Sequence, residues 1–361
     1  MTRTLKIVFI TCSLGYGGAE RVIIDLVNRL DRRRFSSVIF CLKEKGALAD
    51  QVAPDVPVFA FHKKTKFGFL VIWRMTRLLW RERPDIVHTH LFCGDLWGRL
   101  SAIVAHCSSV IVSTEHNLRT MERRVEYWSK RILNYWTRRV IFVSEAARND
   151  FTRILPITRQ HTQVIPNGIS MEKYFVKRPI FQEPRLSLII VARLAPQKGH
   201  QYLIQALHQL HDLDWNARIV GYGPLRSALA EMVSHFKLQN RVAFLGNRQD
   251  IPELLSESDI FLLPSVYEGQ GIALLEAAAS GNFIIASNVD GISEMFVDKE
   301  TALLVPPENP TALATAIRWV YQHRLSAQSI ATRGQMMVAR TYRIETMVQS
   351  YEKMYENTAN Q

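Results

Sequence analysis

Residues 5–30, LKIVFITCSLGYGGAERVIIDLVNRL, decide the fold. The apolar run Ile7–Cys12 gives way to a glycine-rich turn. From about Ala19 to Leu30, Val22, Ile23, Leu26, Val27 and Leu30 then recur at helical spacing. The same unit returns downstream. Ser37–Leu42, Ile86–His90, Val110–Glu115 and Val140–Ser144 read as strands, Phe69–Arg81 reads as a helix, and helical sequence follows each strand. Apolar runs without alternation need cover on both faces, and parallel strands linked by helices provide it. The expected class is α/β with a doubly wound parallel sheet.

Gln163–Ile169 (QVIPNGI) interrupts the pattern, and Met171–Pro184, with two prolines and mixed charge, reads as a linker. The pattern then restarts. Leu186–Ala192, Ala217–Val220, Val242–Leu245, Ile260–Pro264 and Phe283–Ser287 read as strands; Gly199–Leu210, Leu225–Phe236 and Ile272–Ala279 read as helices. Two domains are therefore expected, over 1–168 and 184–342. A final helix over 343–361, with a polar, frayed end, can pack back towards the N-terminal domain. In such a pair the ligand site is expected in the crevice at the carboxyl ends of the strands, enlarged into a cleft between domains.

The 361 residues are 47% hydrophobic and 22% charged, values that exclude global disorder and a fibrous fold. Cys12, Cys41, Cys93 and Cys107 form no CxxC pair, which argues against a disulfide framework or a zinc site and points to a reducing compartment. The apolar runs are far shorter than the ~20 residues of a membrane span. The N-terminal run reads as a buried strand rather than a signal peptide.

Formal net charge is +12 and is unevenly placed. Residues 1–170 hold 27 Lys and Arg against 14 Asp and Glu; the remainder holds 18 against 19. The N-terminal half is thus suited to something anionic. His62–Arg83 interleaves bases with Phe67, Phe69, Leu70, Ile72, Trp73, Leu79 and Trp80. Arg119–Arg139 carries seven bases among Tyr127, Trp128, Tyr135 and Trp136. Bases beside aromatic groups fit an anionic membrane surface better than nucleic acid, which is not expected as a partner. The competing reading makes these apolar residues the core faces of amphipathic helices. Membrane docking implies a cytoplasmic protein, peripheral on the cytoplasmic face of the cell membrane.

The chemistry is concentrated in Pro264–Gly281, PSVYEGQGIALLEAAASG. If a helix begins near Gly271, the free N–H groups of Gln270, Gly271 and Ile272 and the helix dipole form an anion site. Glu276 then lies about 7.5 Å along the helix, close to the span from a diphosphate to the ribose hydroxyls attached to it. Glu268 would reach the other side of the phosphate, where a transferred group sits. In Ile190–Gly199, IVARLAPQKG, Arg193 and Lys198 follow a strand end, where two cations can neutralise a diphosphate leaving group.

Arg193, Lys198, the GYGP turn at Gly221–Pro224, RVAFLG at Arg241–Gly246, and Glu268 with Glu276 occur in an order and spacing that resemble retaining glycosyltransferase family 4. The glycine-rich turn within LGYGGAERVII (Leu14–Ile24) resembles that family's first turn as well. The resemblance implies a GT-B fold, two Rossmann-like doubly wound domains facing a cleft. It implies transfer of a sugar from a nucleotide diphosphate sugar, with retained configuration, to a glycan or lipid-linked acceptor in cell-surface polysaccharide or lipopolysaccharide synthesis. It assigns the diphosphate to Arg193 and Lys198, the ribose to Glu276, the donor sugar to Glu268, and the base to Gly246–Arg248, with Arg248 among the binding residues. Gln270 stands where the family commonly has Phe, between Gly269 and Gly271, so donor choice can differ. The family needs no cofactor, and a metal ion is not expected to be required.

His116, at the end of a strand, is ordinarily a satisfied polar residue; by the resemblance it lies near the transferring sugar. Gly15, Gly17 and Gly18 form GxGG rather than a dinucleotide motif, and serve either a structural turn or a backbone approach to substrate. His88 and His90 (HTH) lack a third ligand for a metal. The alternatives are a nucleotide-sugar epimerase of the same fold and a non-catalytic membrane-associated binding module. The first would make product without an acceptor, and the second has no use for Arg193, Lys198 and both glutamates together.

Overall fold

The computed structural model describes residues 3–63, 68–106, 109–118, 124–155, 161–175 and 180–359. Cys107, Phe67, the base-rich start of Arg119–Arg139 (119–123) and part of the expected linker (176–179) lie outside the described residues.

The chain forms two units, Met1–Asn167 with Ile344–Gln361, and Gly168–Arg343. In the first, β1 (Leu5–Thr11), β2 (Phe35–Cys41), β3 (Val58–Ala60), β4 (Ile86–His90), β5 (Val110–Glu115), β6 (Thr137–Phe142) and β7 (Thr162–Val164) build one sheet. Its order is β3-β2-β1-β4-β5-β6-β7, and every neighbouring pair is parallel. Helices α1 (Gly18–Arg29), α2 (Phe69–Glu82), α3 (Leu91–Ala105), α4 (Arg124–Leu133) and α5 (Glu145–Ile154) belong to it.

The second unit begins with α6 (Met171–Tyr174). Its strands β8 (Leu186–Val191), β9 (Trp215–Val220), β10 (Val242–Gly246), β11 (Ile260–Leu263), β12 (Phe283–Ser287) and β13 (Leu303–Val305) lie in the order β10-β9-β8-β11-β12-β13, again all parallel. Helices α7 (His200–His208), α8 (Arg226–His235), α9 (Ile251–Ser256), α10 (Ile272–Ala279), α11 (Asp290–Met295), α12 (Pro310–Gln322) and α13 (Arg324–Thr341) alternate with or follow these strands. A last helix, α14 (Ile344–Ala359), rejoins the first unit.

The physical cause is visible in β1, where Ile7, Val8, Phe9 and Ile10 are all fully buried, as central parallel strands require. Each such aliphatic side chain contributes roughly 1.5–3 kcal/mol by leaving water. Helix α1 buries Val22, Ile23, Leu26 and Val27 and carries Glu20 in its first turn and Arg29 in its last, favourable with respect to its dipole. The sheet order changes direction between β1 and β4 and between β8 and β11. The crevices at the carboxyl ends of those two strand pairs are where such sheets bind ligands.

Two expectations need correction. The described part of the supposed linker is structured: Tyr174, Ile180 and Phe181 are buried in the C-terminal core, and the Phe181 N–H donates to Asp259 at 2.7 Å. Its apolar residues, rather than its prolines, decide its place. The last helix is ordered further than expected: the end of the expected frayed tail, 360–361, lies outside the described residues, but the helix runs to Ala359 with Thr358 buried. It buries Tyr351 and Tyr355 fully, and Arg34 pairs with Glu352 at 3.0 Å and Glu356 at 2.5 Å.

The basic segments divide physically. On α2, Val71, Met75 and Leu79 face the core. Phe69 (79% exposed), Leu70, Trp73 and Trp80 (65%) face outward with Arg74, Arg77 and Arg81. On and just after α4, Val125, Trp128, Ile132, Tyr135 (86%) and Trp136 are exposed beside Arg124, Arg131 and Arg138. Lys130 is the exception, buried and paired with Glu115. Helix α3 packs against both α2 and α4. The core-face reading therefore accounts for only part of these apolar residues.

Candidate active site

The loops leaving β8 and β11 meet at the direction change of the C-terminal sheet. Val266 N–H donates to Gln197 O at 2.8 Å, and the Gln197 amide to Tyr267 O at 3.1 Å. Gly199 makes this possible: its φ is 67°, and a Cβ there would fall 1.8 Å from Pro264 O. The meeting places the Lys198 ammonium against the Glu268 carboxylate, which also accepts a 3.3 Å hydrogen bond from Ser265. Glu268 is buried and Lys198 is half-buried, so a cation and an anion 70 positions apart share one partly dehydrated spot.

Gly271, with φ 73°, forms the N-cap of α10 and has no side chain to cap it, so the first N–H groups of the helix are unsatisfied by a capping side chain. A Cβ on Gly271 would stand 3.3 Å from Glu268 Cγ, so the helix start adjoins the ion pair. Gln270 is buried beside it, and Ile272 is the first residue of the helix. Glu276 lies within a helix whose Leu274, Leu275 and Ala277–Ala279 are buried. It is itself only 7% exposed and accepts a 2.7 Å hydrogen bond from Tyr174. Tyr174 was missed by sequence reasoning; it lies 102 positions away in a segment read as linker, and no local signal marks it. Arg193 is exposed, and no hydrogen bond or ion pair joins its side chain to another group among the described residues. Arg248, beyond β10, forms a two-point pair with Asp250, at 2.8 and 2.5 Å. His200, directly after Gly199, is fully buried with both ring nitrogens unpartnered among the described residues, and burial lowers it to about 4.

In the N-terminal unit, Gly17 is the N-cap of α1 and Gly18 its first residue, both exposed. Gly17 has extended backbone (φ −162°), and a Cβ there would meet only the movable Glu20 carboxylate. His116, one residue past β5, lies 3.0 Å from His90 through its Nε2 and the Nδ1 of His90. His88 Nδ1 meets Tyr355 Oη at 2.7 Å, and its Nε2 meets Thr114 Oγ1 at 2.7 Å. Burial lowers His88 to about 3 and His116 to about 4, and burial followed by its two histidine neighbours lowers His90 well below the ordinary range. All three rings are therefore neutral near pH 7. The His90–His116 bond carries a single proton, so one of its outer nitrogens is a donor and the other an acceptor. His88 and His90 thus belong to a cluster of packed rings, their centroids 4.1 Å apart, that α14 joins through Tyr355, a role the HTH spacing did not reveal.

The two halves of the chain match two family models, Glycosyltransferase Family 4 over residues 16–173 and Glycosyl transferases group 1 over residues 171–337. UDP-Gal:alpha-D-GlcNAc-diphosphoundecaprenol alpha-1,3-galactosyltransferase of Escherichia coli is 30% identical over 298 residues, covering 76% of this chain and 77% of that protein. The chain belongs to the group 1 glycosyltransferases. The gpi3 subunit of phosphatidylinositol N-acetylglucosaminyltransferase from Schizosaccharomyces pombe is 24% identical over 96% of this chain and 78% of its own length. Among solved structures, Anabaena Alr3699/HepE in complex with UDP and glucose matches with a TM-score of 0.87 at 23% identity, covering 98% of this chain and 100% of that one. That likeness shows the shared GT-B fold. In this glycosyltransferase the C-terminal unit offers a paired cation, an exposed guanidinium and a helix start, an arrangement able to hold a diphosphate and stabilise charge leaving with it.

Proposed function

We propose that this glycosyltransferase moves a sugar, with retained anomeric configuration, from a nucleotide diphosphate sugar to a hydroxyl of a glycan or lipid-linked acceptor, in cell-surface polysaccharide or lipopolysaccharide synthesis. The observation that carries the reading is the Lys198–Glu268 pair at the start of α10. A diphosphate takes Lys198 and Arg193 as counter-charges and the N–H groups at Gly271 and Ile272 as donors. Glu276, oriented by Tyr174, accepts from the ribose hydroxyls; Glu268 and Gln270 meet the donor sugar; Arg248 lies on the side of the base.

The bond between the anomeric carbon and the diphosphate oxygen breaks, and the charge left on that oxygen is met by groups already fixed in place. The acceptor hydroxyl attacks on the same face and passes its proton to the departing phosphate. Neutral His116 orients a sugar hydroxyl, and Gly17 and Gly18 let the backbone approach substrate. The cations and N–H groups take the part that a metal ion plays elsewhere, so no cofactor is invoked. A panel of nucleotide sugars read by thermal unfolding tests the donor site. At a concentration of 100 Kd, binding adds about 2.7 kcal/mol, which raises Tm by roughly 5–10 °C for a unit of this size. Glu276→Gln reduces the shift. If no nucleotide diphosphate sugar raises Tm, the reading fails.

The names of two relatives include a diphosphoundecaprenol and a phosphatidylinositol, which supports a lipid-linked acceptor here. The outward aromatic and basic residues of α2 and α4 then hold the chain to anionic lipid at the cytoplasmic face of the membrane, each base contributing about 1 kcal/mol near the surface. No helix among the described residues is long and apolar enough to cross a membrane. In a flotation assay with phosphatidylglycerol vesicles the chain should rise with the lipid and be released by high salt. The Trp73→Ala/Trp80→Ala variant should float less. Failure to float at low salt removes the membrane role and leaves the transfer reaction standing.

A further inference from the structure

The residues following β1 and β4 meet at the direction change of the N-terminal sheet, much as the Lys198 and Glu268 loops meet in the other unit. A Cβ on Gly94, in the first turn of α3, would stand 2.8 Å from Thr11 Cα and 2.8 Å from Ile10 O, so only glycine lets α3 press this closely on the end of β1. The neighbours of those two positions are Cys93 and Cys12. Both are free thiols, both are partly exposed, and their side chains lie close enough to influence one another. The residues are 81 positions apart, and nothing in their spacing announces the meeting. Leu91, two residues before Cys93, is held at φ 59°, a left-handed conformation that a non-glycine residue rarely adopts.

We propose that Cys12 and Cys93 form a reversible oxidation site, closed to an internal disulfide by a small-molecule disulfide of the glutathione class. The chemistry differs between the two thiols. Cys93 is lowered by the Cys12 contact and by Lys63 and Lys43, against the opposing effect of burial, which favours a thiolate at this end of the pair. Its place in the first turn of α3 adds the favourable end of a helix dipole. Cys12 is raised, by the Cys93 contact first and by burial second, which favours the thiol there. Cys41 offers the contrast: buried, and pushed up to about 12 by that burial, it is a poor nucleophile.

The Cys93 thiolate attacks the small disulfide, forming a mixed disulfide and expelling one small thiolate. Cys12 then loses its proton and attacks Cys93 Sγ, expelling the second. Two protein thiols are oxidised, one small disulfide is reduced to two thiols, and the two protons given up by the protein end on those thiols. The bond ties the segment leading into Gly15–Gly18 to the first turn of α3. It also qualifies the expectation from cysteine count alone: the chain has no structural disulfide framework, yet it carries one pair set for exchange.

The test treats the reduced, folded full-length chain with oxidised glutathione and reads intact mass and a non-reducing peptide map. The expected product has lost two hydrogens, retains no glutathione and links the Cys12 peptide to the Cys93 peptide, and dithiothreitol restores the starting mass. Cys12→Ser should stop at a glutathione adduct on Cys93, and Cys93→Ser should abolish the link. Alkylation of Cys93 in the wild-type chain should begin at lower pH than that of an ordinary thiol. A link involving Cys41 or Cys107, a link formed only in denaturant, or four thiols that all stay free overturns the proposal. None of these outcomes bears on the donor site.

Discussion

Lys198→Ala is expected to lower kcat by about two to three orders of magnitude, the effect of removing one preorganised donor to a developing oxyanion. The lysine is fixed before substrate arrives. It closes a tight turn, with its N–H on Ala195 O at 3.0 Å, and its ammonium rests on Glu268. A leaving diphosphate gains charge in the transition state, so an ammonium aimed at it acts more strongly there than on bound donor. The loss should therefore appear chiefly in kcat and less in KM. The variant also leaves the buried Glu268 carboxylate with Ser265, at 3.3 Å, as its remaining partner among the described residues, so unfolding must be measured beside turnover. A folded Lys198→Ala chain that turns over within a few-fold of wild type removes Lys198 from the reaction. Lys198→Arg, which keeps the charge in a different shape, should recover part of the rate.

The second large effect is structural. Arg99→Met is expected to destabilise the N-terminal unit by about 3–5 kcal/mol, the cost of stranding a buried charge. Arg99 is fully buried on α3, and its guanidinium forks onto Asp95 at 2.6 and 2.5 Å. It also donates to Ser113 at 2.9 Å, Asn134 at 2.7 Å and Thr137 at 3.0 Å, stitching α3 to β5 and β6. Asp95 accepts further from Thr89 and Ser113, both at 2.7 Å. Burial alone would raise the Asp95 carboxyl, but Arg99, Lys130 and these hydrogen bonds hold it below its usual range. Its folded value lies under its unfolded one, so its contribution is present above the ordinary carboxylate range and is lost as pH falls through the folded value. Thermal unfolding should show the N-terminal transition about 10 °C lower. Asp95→Asn in the same chain should restore part of the loss, because the stranded charge is then gone. A fall of under 1 kcal/mol would mean that the pair contributes little.

The central strands and the long amphipathic helices were legible because each carries its own pattern: Ile86–His90, Val110–Glu115, Phe283–Ser287 and Ile272–Ala279 fall where apolar periodicity puts them. The three-residue strands β3, β7 and β13 were not, since three residues cannot express a period and sheet membership comes from a neighbour. The same distinction runs through the site. Glu268, Gly271 and Lys198 were legible as residue types at strand ends. The contacts that set their chemistry were not: Lys198 on Glu268, Tyr174 on Glu276, Tyr355 on His88, Cys12 on Cys93. Each joins positions 70 or more apart, and only the order of strands brings them together. The linker misreading has the same origin, because prolines speak locally while Ile180 and Phe181 answer to a core assembled elsewhere.

Helix α14 sets an order of events during synthesis. Residues 1–167 precede the C-terminal unit in the chain, yet Tyr351 and Tyr355, which pack in their interior against His88 and Phe9, follow it. The N-terminal unit, whose α1 packs against α14, therefore cannot complete its core until the C-terminal unit between its two pieces has been translated. A chain stalled or clipped before residue 344 would present chaperones with an unfinished first half beside a C-terminal unit that already has every residue it needs.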